Sequence, residues 1–344
     1  MNPIIMSLML ASLAIGTIIT MTSTHWLMAW IGLELNTLSI IPIISKHHHP
    51  RSTEATTKYF LTQAAASAML LFASTVNAWH TGTWDISQLT SQPACIMLTM
   101  ALSMKLGLAP LHFWLPEVLQ GTSLSTSLII VTWQKLAPIS LMFLTHNSLN
   151  PSILISMGLL STLIGGWGGL NQTQVRKIMA FSSIAHLGWM TTVMALNPYL
   201  ALLNLLLYLL MTTTTFMVLM QTPSKTIKDL TTASALSPST LALMMVLMMS
   251  LGGLPPLTGF VPKWLILQEL THHNFTTTAL MMALSALLSL FFYLRLSYVS
   301  TLTAFPSTMS TTHKWRLQPT SPTYLMTLML LTSTLLLPIT PLLL

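Results

Sequence analysis

An all-α, polytopic membrane fold of about eleven transmembrane helices follows from three observations on this 344-residue sequence. Hydrophobic residues make up 53% of it and charged residues only 6%, whereas about a quarter of an ordinary soluble domain is charged. The apolar residues run in stretches of about twenty, the length at which a helix crosses a hydrocarbon core. Most of the Lys and Arg residues fall in alternate loops between these runs, which places them on one side of a membrane if every run is a span.

The first run, 3–21, follows Met1-Asn2-Pro3-Ile4-Ile5 with no basic leader and no small-residue cleavage site, so it reads as a retained span. Runs 25–45 and 57–79 flank the loop Lys46-His47-His48-His49-Pro50-Arg51. Gly82-Thr83-Trp84-Asp85 then leads to 95–121 and 124–145. Beyond the turn from Asn147 to Pro151 come 150–170 and 176–196, and beyond Asn197-Pro198 comes 199–220. Pro223-Ser224-Lys225 precedes 238–271, 275–298 and 323–343. Lys46, Arg51 and Lys58 flank the second loop, Arg176 and Lys177 the sixth, Lys225 and Lys228 the eighth, and Lys314 and Arg316 the tenth, while the odd-numbered loops hold no Lys or Arg. The amino terminus is therefore expected on the basic side and the carboxyl terminus on the other.

Two runs are interrupted. Lys105-Leu106-Gly107-Leu108-Ala109-Pro110 through Leu115-Pro116-Glu117 breaks the fourth, and Gly252-Gly253-Leu254-Pro255-Pro256-Leu257-Thr258-Gly259 breaks the ninth. Proline removes a backbone donor and clashes with the preceding turn, and a broken helix at membrane depth requires protein or a water-filled cavity around the freed groups. The broken spans lie five helices apart, which predicts a five-helix unit repeated over 1–145 and 150–298, with 323–343 as an extra helix. Five is odd, so the second unit enters the membrane inverted, as in many transporters.

Glu34, Lys105, Lys135 and Lys263 lie inside spans. A charge at the bilayer centre costs roughly 2.5–3.5 kcal/mol on insertion scales, so such groups face a wet interior or one another. A Glu–Lys ion pair kept for structure alone leaves two of the three lysines unexplained. An ion or proton path is the expectation. Lys105 ends one half-helix, and Lys263 starts another, where the helix dipole disfavours a cation; Lys263 is thus expected to lose and regain a proton. His186 and His112 are candidate relays or simple hydrogen-bonding groups.

Other features carry less. A net charge of +7 spread through membrane sequence forms no basic stripe for nucleic acid. The single Cys95 excludes an internal disulfide or a four-cysteine metal or iron–sulfur site. His47-His48-His49 lacks zinc spacing and reads as a solvated loop. Gly165-Gly166-Trp167-Gly168-Gly169 lacks the Lys-Ser/Thr of a phosphate loop and reads as close helix packing.

These residues resemble the antiporter-like membrane subunits of respiratory NADH:quinone oxidoreductase over essentially the whole chain. The resemblance rests on both broken-span motifs, on Pro50-Arg51-Ser52-Thr53-Glu54-Ala55, on Gly168-Gly169-Leu170-Asn171-Gln172-Thr173, and on Ser182-Ser183-Ile184-Ala185-His186. The 26 methionines, with many Leu and Thr, are similar to the composition of proteins encoded by animal mitochondrial genomes. Bacterial members carry about three further amino-terminal helices. The resemblance implies that a helix glutamate pairs with a lysine on the first broken helix, that a central Lys or His relays, and that a Lys or Glu on the second broken helix faces the exit. By motif these roles fall on Glu34, Lys105, Lys135 and Lys263. It further implies no cofactor in this chain, with NADH, FMN, iron–sulfur clusters and ubiquinone bound by other subunits. Its implied partners are other membrane-arm subunits, including neighbouring antiporter-like chains, and lipids, in the mitochondrial inner membrane with the amino terminus in the matrix and the carboxyl terminus in the intermembrane space. A free-standing cation/proton antiporter and a structural membrane anchor are the alternatives.

Overall fold

The computed structural model describes residues 3–47, 49–222, 224–233, 238–301, 324–335 and 337–339. They fall into two compact units, Met1–Ser161 with Met190–Pro198, and Thr162–Trp189 with Tyr199–Leu344.

In the first unit, α1 (Pro3–Thr22) and α2 (Trp26–Ile44) pack together through glycine. A Cβ on Gly16 would lie 2.9 Å from the Gly32 carbonyl oxygen, and one on Gly32 would lie 2.8 Å from that of Gly16. Any larger residue would push the helices apart, and close backbone approach is what holds helices together where lipid removes the hydrophobic drive. The next helix, α3 (Pro50–Thr81), opens on a proline and is capped by His49. The His49 Nδ1 accepts the Arg51 N–H at 3.2 Å, while Ser52 Oγ accepts the His49 N–H at 3.1 Å, a reciprocal cap that satisfies two otherwise orphaned donors. His49 thus serves as a helix cap; His48 lies outside the described residues.

The fourth span is two helices, α4 (Gln92–Leu106) and α5 (Trp114–Gly121). Gly107 ends α4 at φ 75°, a conformation that L side chains resist. Its N–H donates to Met104 O at 3.2 Å and the Leu108 N–H to Ser103 O at 2.9 Å, which is a Schellman cap. The fifth span is also interrupted, which its sequence run did not predict: α6 (Leu124–Val131) and α7 (Trp133–Leu144) meet at Thr132. Pro138, inside α7, has no N–H for the Gln134 carbonyl and its ring presses on that turn, and the helix reopens just upstream. Loops are tied as well. Trp26 N–H donates to Trp84 O and Ile86 N–H to Thr24 O, each at 3.0 Å, and the His25 and Trp84 rings stack 5.9 Å apart.

The second unit takes residues from α8 (Pro151–Leu170) and α9 (Val175–Met194), followed by α10 (Pro198–Gln221), α11 (Ile227–Ala233), α12 (Pro238–Gly252), α13 (Phe260–His272), α14 (Thr276–Thr301) and α15 (Tyr324–Leu335). The short α11 lies in a segment read as loop. Its start is held by Asp229, whose Oδ2 accepts the Thr226 N–H at 2.8 Å and the Lys225 N–H at 3.0 Å. These bonds hold the carboxyl below the usual aspartate range. The break between α12 and α13 repeats the first one: Gly253 has φ 81°, its N–H donates to Ser250 O at 3.0 Å, and Leu254 N–H donates to Met249 O at 3.3 Å. The glycine run of α8 packs closely, as expected. A Cβ on Gly165 would meet Ala185 at 2.7 Å, one on Gly169 would meet the Phe292 ring at 2.7 Å, and Gly168 faces Phe181. Arg295 of α14 donates to Leu170 O and, at 2.7 Å, to Gln172 O, closing the carboxyl end of α8. Lys314, Arg316, Pro223, and residues 323, 336 and 340–343 of the final run lie outside the described residues.

Polarity is arranged inside out. Ile4, Leu8, Ile15, Ile18, Leu61, Phe72 and Leu287 are exposed, while Asn36, Gln63, Lys105, Lys135 and many Ser and Thr are buried, the reverse of a protein surrounded by water. The hydroxyls are mostly satisfied locally: Ser12, Thr17, Thr99, Ser103, Thr214 and Ser285 donate to carbonyls three residues back at 2.7–2.9 Å. Such back-bonding lets a polar residue sit in an apolar helix without a partner from elsewhere.

Candidate functional site

Each unit brings a lysine ammonium to the carboxyl end of the first half of its broken helix. In the first unit Lys135, on α7, is 1% exposed and its Nζ donates to Leu106 O, the last residue of α4. The Nζ also lies 5.5 Å from the centroid of the Trp114 ring, a cation–π distance. Trp114 in turn donates its Nε1–H to Met104 O at 3.0 Å and meets the Tyr59 ring edge-on at 5.7 Å. The orphan carbonyls at this helix end thus take one ammonium and one indole, and a cation is favoured there by the dipole.

Lys105, in the last turn of α4, is 5% exposed. The expected contact between Glu34 and Lys105 is not made: Glu34 Oε2 and Lys105 Nζ are each buried without a hydrogen-bond partner. Lys105 and Lys135 both line one small cavity, with Thr37, Tyr59, Gln63 and Gln134 around them. Gln134 also donates its Nε2–H to the Asn36 carbonyl at 3.2 Å, fixing α7 to α2 two residues beyond Glu34. His112 stays apart from the lysines in its bonding, with Nδ1 3.3 Å from Pro110 O and its ring on Phe113 at 4.4 Å.

In the second unit Lys263 sits in the first turn of α13, as the sequence places it, but its charge does not stay there. The Nζ reaches back to donate to Gly252 O at 2.8 Å, with Leu251 O at 3.4 Å. The expectation that a helix dipole opposes this cation is therefore corrected: the backbone of Lys263 is at the positive end of α13, and its ammonium is at the negative end of α12. Glycine is needed beside it, because a Cβ on Gly253 would lie 3.0 Å from the Nζ. His186 is buried in the same unit between two tyrosines, its ring 5.5 Å from that of Tyr208 and its Nε2 3.5 Å from the Tyr293 hydroxyl.

Sequence reasoning did not single out Gln63, Tyr59, Trp114 and Gln134 around the first cavity, or Tyr208 and Tyr293 around His186. A glutamine in an apolar helix was a usable signal for Gln63 and Gln134. The tyrosines and Trp114 were indistinguishable from packing residues.

Comparisons with known proteins show the family. Residues 23–289 match the family model described as NADH:quinone oxidoreductase/Mrp antiporter, TM, and residues 290–344 match NADH dehydrogenase subunit 2 C-terminus. Among similar proteins, NADH-ubiquinone oxidoreductase chain 2 of Varanus timorensis is 59% identical and that of Xenopus laevis 57% identical, each over 342 residues and 99% of both chains. A chain of respiratory complex I from Thermus thermophilus with bound aureothin is 27% identical, with a TM-score of 0.82 over 97% of this chain and 79% of that one. A chain of the Mrp complex from Dietzia sp. is similar in fold, with a TM-score of 0.78, 17% identity and coverage of 87% of this chain and 61% of that one. The chain belongs to the membrane-subunit family shared by NADH:quinone oxidoreductases and Mrp antiporters, and within it to the NADH-ubiquinone oxidoreductase chains 2.

Proposed function

We propose that this chain is a proton-translocating membrane-arm subunit of an NADH:ubiquinone oxidoreductase, with Glu34, Lys105, Lys135 and Lys263 carrying the proton and His186 and His112 as further groups on or beside the route. The observation that carries the reading is the placement of lysine ammonium groups on the open carboxyl ends of two broken helices in an apolar chain. A carbonyl end holds a cation by dipole and hydrogen bond but does not neutralise it, so the proton remains removable. Moving one charge against 100 mV requires roughly 2.3 kcal/mol. The energy comes from electron transfer through NADH, FMN, iron–sulfur clusters and ubiquinone held by other subunits. Neighbouring membrane-arm chains deliver it, and lipid covers the exposed apolar faces. The site is the mitochondrial inner membrane, with the basic loops and the amino terminus in the matrix and the carboxyl terminus in the intermembrane space.

We also infer an inverted repeat over 1–145 and 150–298. Aligning Gly107 with Gly253 matches Leu108 with Leu254, Pro110 with Pro256, Leu111 with Leu257 and Pro116 with Pro262. The loop tie of the first unit recurs in the second, where Val175 N–H donates to Lys225 O at 3.2 Å and Ile227 N–H to Thr173 O at 3.0 Å. The first tie joins loops without Lys or Arg and the second joins basic loops, as inversion requires.

The test is proton pumping per electron in assembled complexes carrying Glu34→Gln or Lys105→Met. Each should lower the ratio while electron transfer to quinone persists. Normal pumping in both variants would leave the chain a structural anchor. Proton exchange by the isolated chain, driven only by ion gradients in vesicles, would favour a free-standing antiporter.

A further inference from the structure

Gln63 has no place in the route given above, yet its amide donor is buried and unpartnered beside the two lysines. It lies on α3 one turn beyond Tyr59, so the two side chains share a face, and both line the cavity that Lys105 and Lys135 enter from α4 and α7. It is 4% exposed. Its Nε2 is buried with no hydrogen-bond partner, a costly state for an amide donor, and Lys105 Nζ beside the same cavity is also without one. Lys135 uses one of its three N–H groups on Leu106 O.

Donor and acceptor chemistry limits what can join these groups. Two ammoniums are donors only and cannot bond to each other. A water between them can accept from a charged lysine and donate to the lone pair of a neutral one, provided that a third group fixes its orientation. An uncharged amide suits this position because it offers both a donor and an acceptor and holds no proton of its own.

We propose that Gln63 is a positioning residue that orders a water molecule in this cavity, and that the proton passes between Lys105 and Lys135 through that water. In the step, an N–H bond of charged Lys105 breaks as its proton joins the water oxygen. An O–H bond of the water then breaks as a proton joins the amine of neutral Lys135. One lysine is charged before and after, and the water is regenerated. The inference rests on the proposed role of the two lysines.

Two substitutions in the assembled complex separate this role from packing. Gln63→Met keeps the volume and removes the amide, whereas Gln63→Asn keeps the amide and leaves room for additional water. Water ordering predicts that Gln63→Met slows pumping roughly fivefold to tenfold, the worth of about one hydrogen bond, and that Gln63→Asn retains most of it. A packing role predicts the reverse, because volume-conserving apolar swaps are tolerated best. Normal pumping in Gln63→Met overturns the proposal, as does a loss confined to Gln63→Asn. If Gln63→Met fails to assemble, the parent complex decides: an ordered water within hydrogen-bond reach of both Gln63 and Lys105 supports the proposal, and its absence overturns it. Lys105→Met and Lys135→Met serve as controls. If both pump normally, the lysine route itself fails and takes this inference with it. If they stop pumping while Gln63→Met does not, only the role of Gln63 is lost.

Discussion

Replacing Lys263 by arginine separates a proton carrier from a fixed charge. The parent ammonium donates to Gly252 O at 2.8 Å at the carboxyl end of α12. A guanidinium offers more donors on a stem of similar reach, so the charge-assisted bond, worth about 1.5–3 kcal/mol, is retained and the complex should assemble. The proton, however, is locked. With a side-chain pKa above about 12, only about one arginine in 10⁵ is neutral at pH 7, and a positioned proton transfer contributes on the order of 10²–10⁴ in rate. The assay is protons pumped per electron in purified complex reconstituted in vesicles, with NADH oxidation measured in parallel. The expected result is normal assembly with a lowered ratio or slowed coupled turnover. A ratio and rate indistinguishable from the parent would refute the reasoning and leave Lys263 only its charge.

Gly253→Ala and Gly82→Ala form a matched pair. Both glycines have positive φ, 81° and 73°, so each substitution costs about 1–2 kcal/mol in conformational strain. A Cβ at Gly82 meets open space, whereas one at Gly253 crowds the Lys263 ammonium, so Gly253→Ala alone should impair pumping; equal pumping in the two variants would contradict the placement of that lysine. Arg295→Met removes the bonds to Leu170 and Gln172 carbonyls and should destabilise the second unit by about 1.5–3 kcal/mol per charged bond, read as a lower thermal midpoint; an unchanged midpoint would show that the carbonyls find other donors. Asp229 makes the start of α11 pH-dependent. Its carboxyl is held below the usual range by the Thr226 and Lys225 N–H groups, so this cap is fully present above the unfolded carboxylate pKa and is lost as pH falls through the lower folded value. Hydrogen exchange at Thr226 and Lys225, corrected for its intrinsic pH dependence, should show protection falling in that acid window and not near neutrality. The Lys58 pairs with Glu54 at 2.5 Å and Glu117 at 2.7 Å are exposed, and Lys58→Met should leave the thermal midpoint almost unchanged, because solvent screens such pairs; a clear fall in the midpoint would mean that the pairs are shielded in the assembled complex.

What the sequence disclosed was whatever is local. Run length marked the helical stretches, because a helix is set by consecutive residues, and glycine near proline marked both breaks, because a cap is set within one turn of chain. The Schellman geometry at Gly107 and Gly253 was implicit in the same residues. The partners of the charges were not local. Lys263 is only about ten residues from Gly252, yet its reach across the break depends on how α13 folds back on α12. Lys135 finds the end of α4 from α7, and Glu34 stops short of Lys105, through packing that no spacing rule encodes. The interruption at Thr132 was marked only by Pro138 nearly two turns later, and Pro138 alone is equally compatible with a continuous, kinked helix.

The capped breaks also have a mechanical meaning. At Gly107 and at Gly253 the carbonyls of Ser103 and Met104, and of Met249 and Ser250, are closed by the glycine and the residue after it, so the leading half-helix keeps its own ladder whatever the trailing half does. A push on α5 or α13 is then taken up as torsion in the short segments at 107–113 or 253–259, with no helical hydrogen bond broken in α4 or α12. Each break behaves as a finished joint between two rigid rods, and a small rotation there changes the distance from ammonium to carbonyl directly.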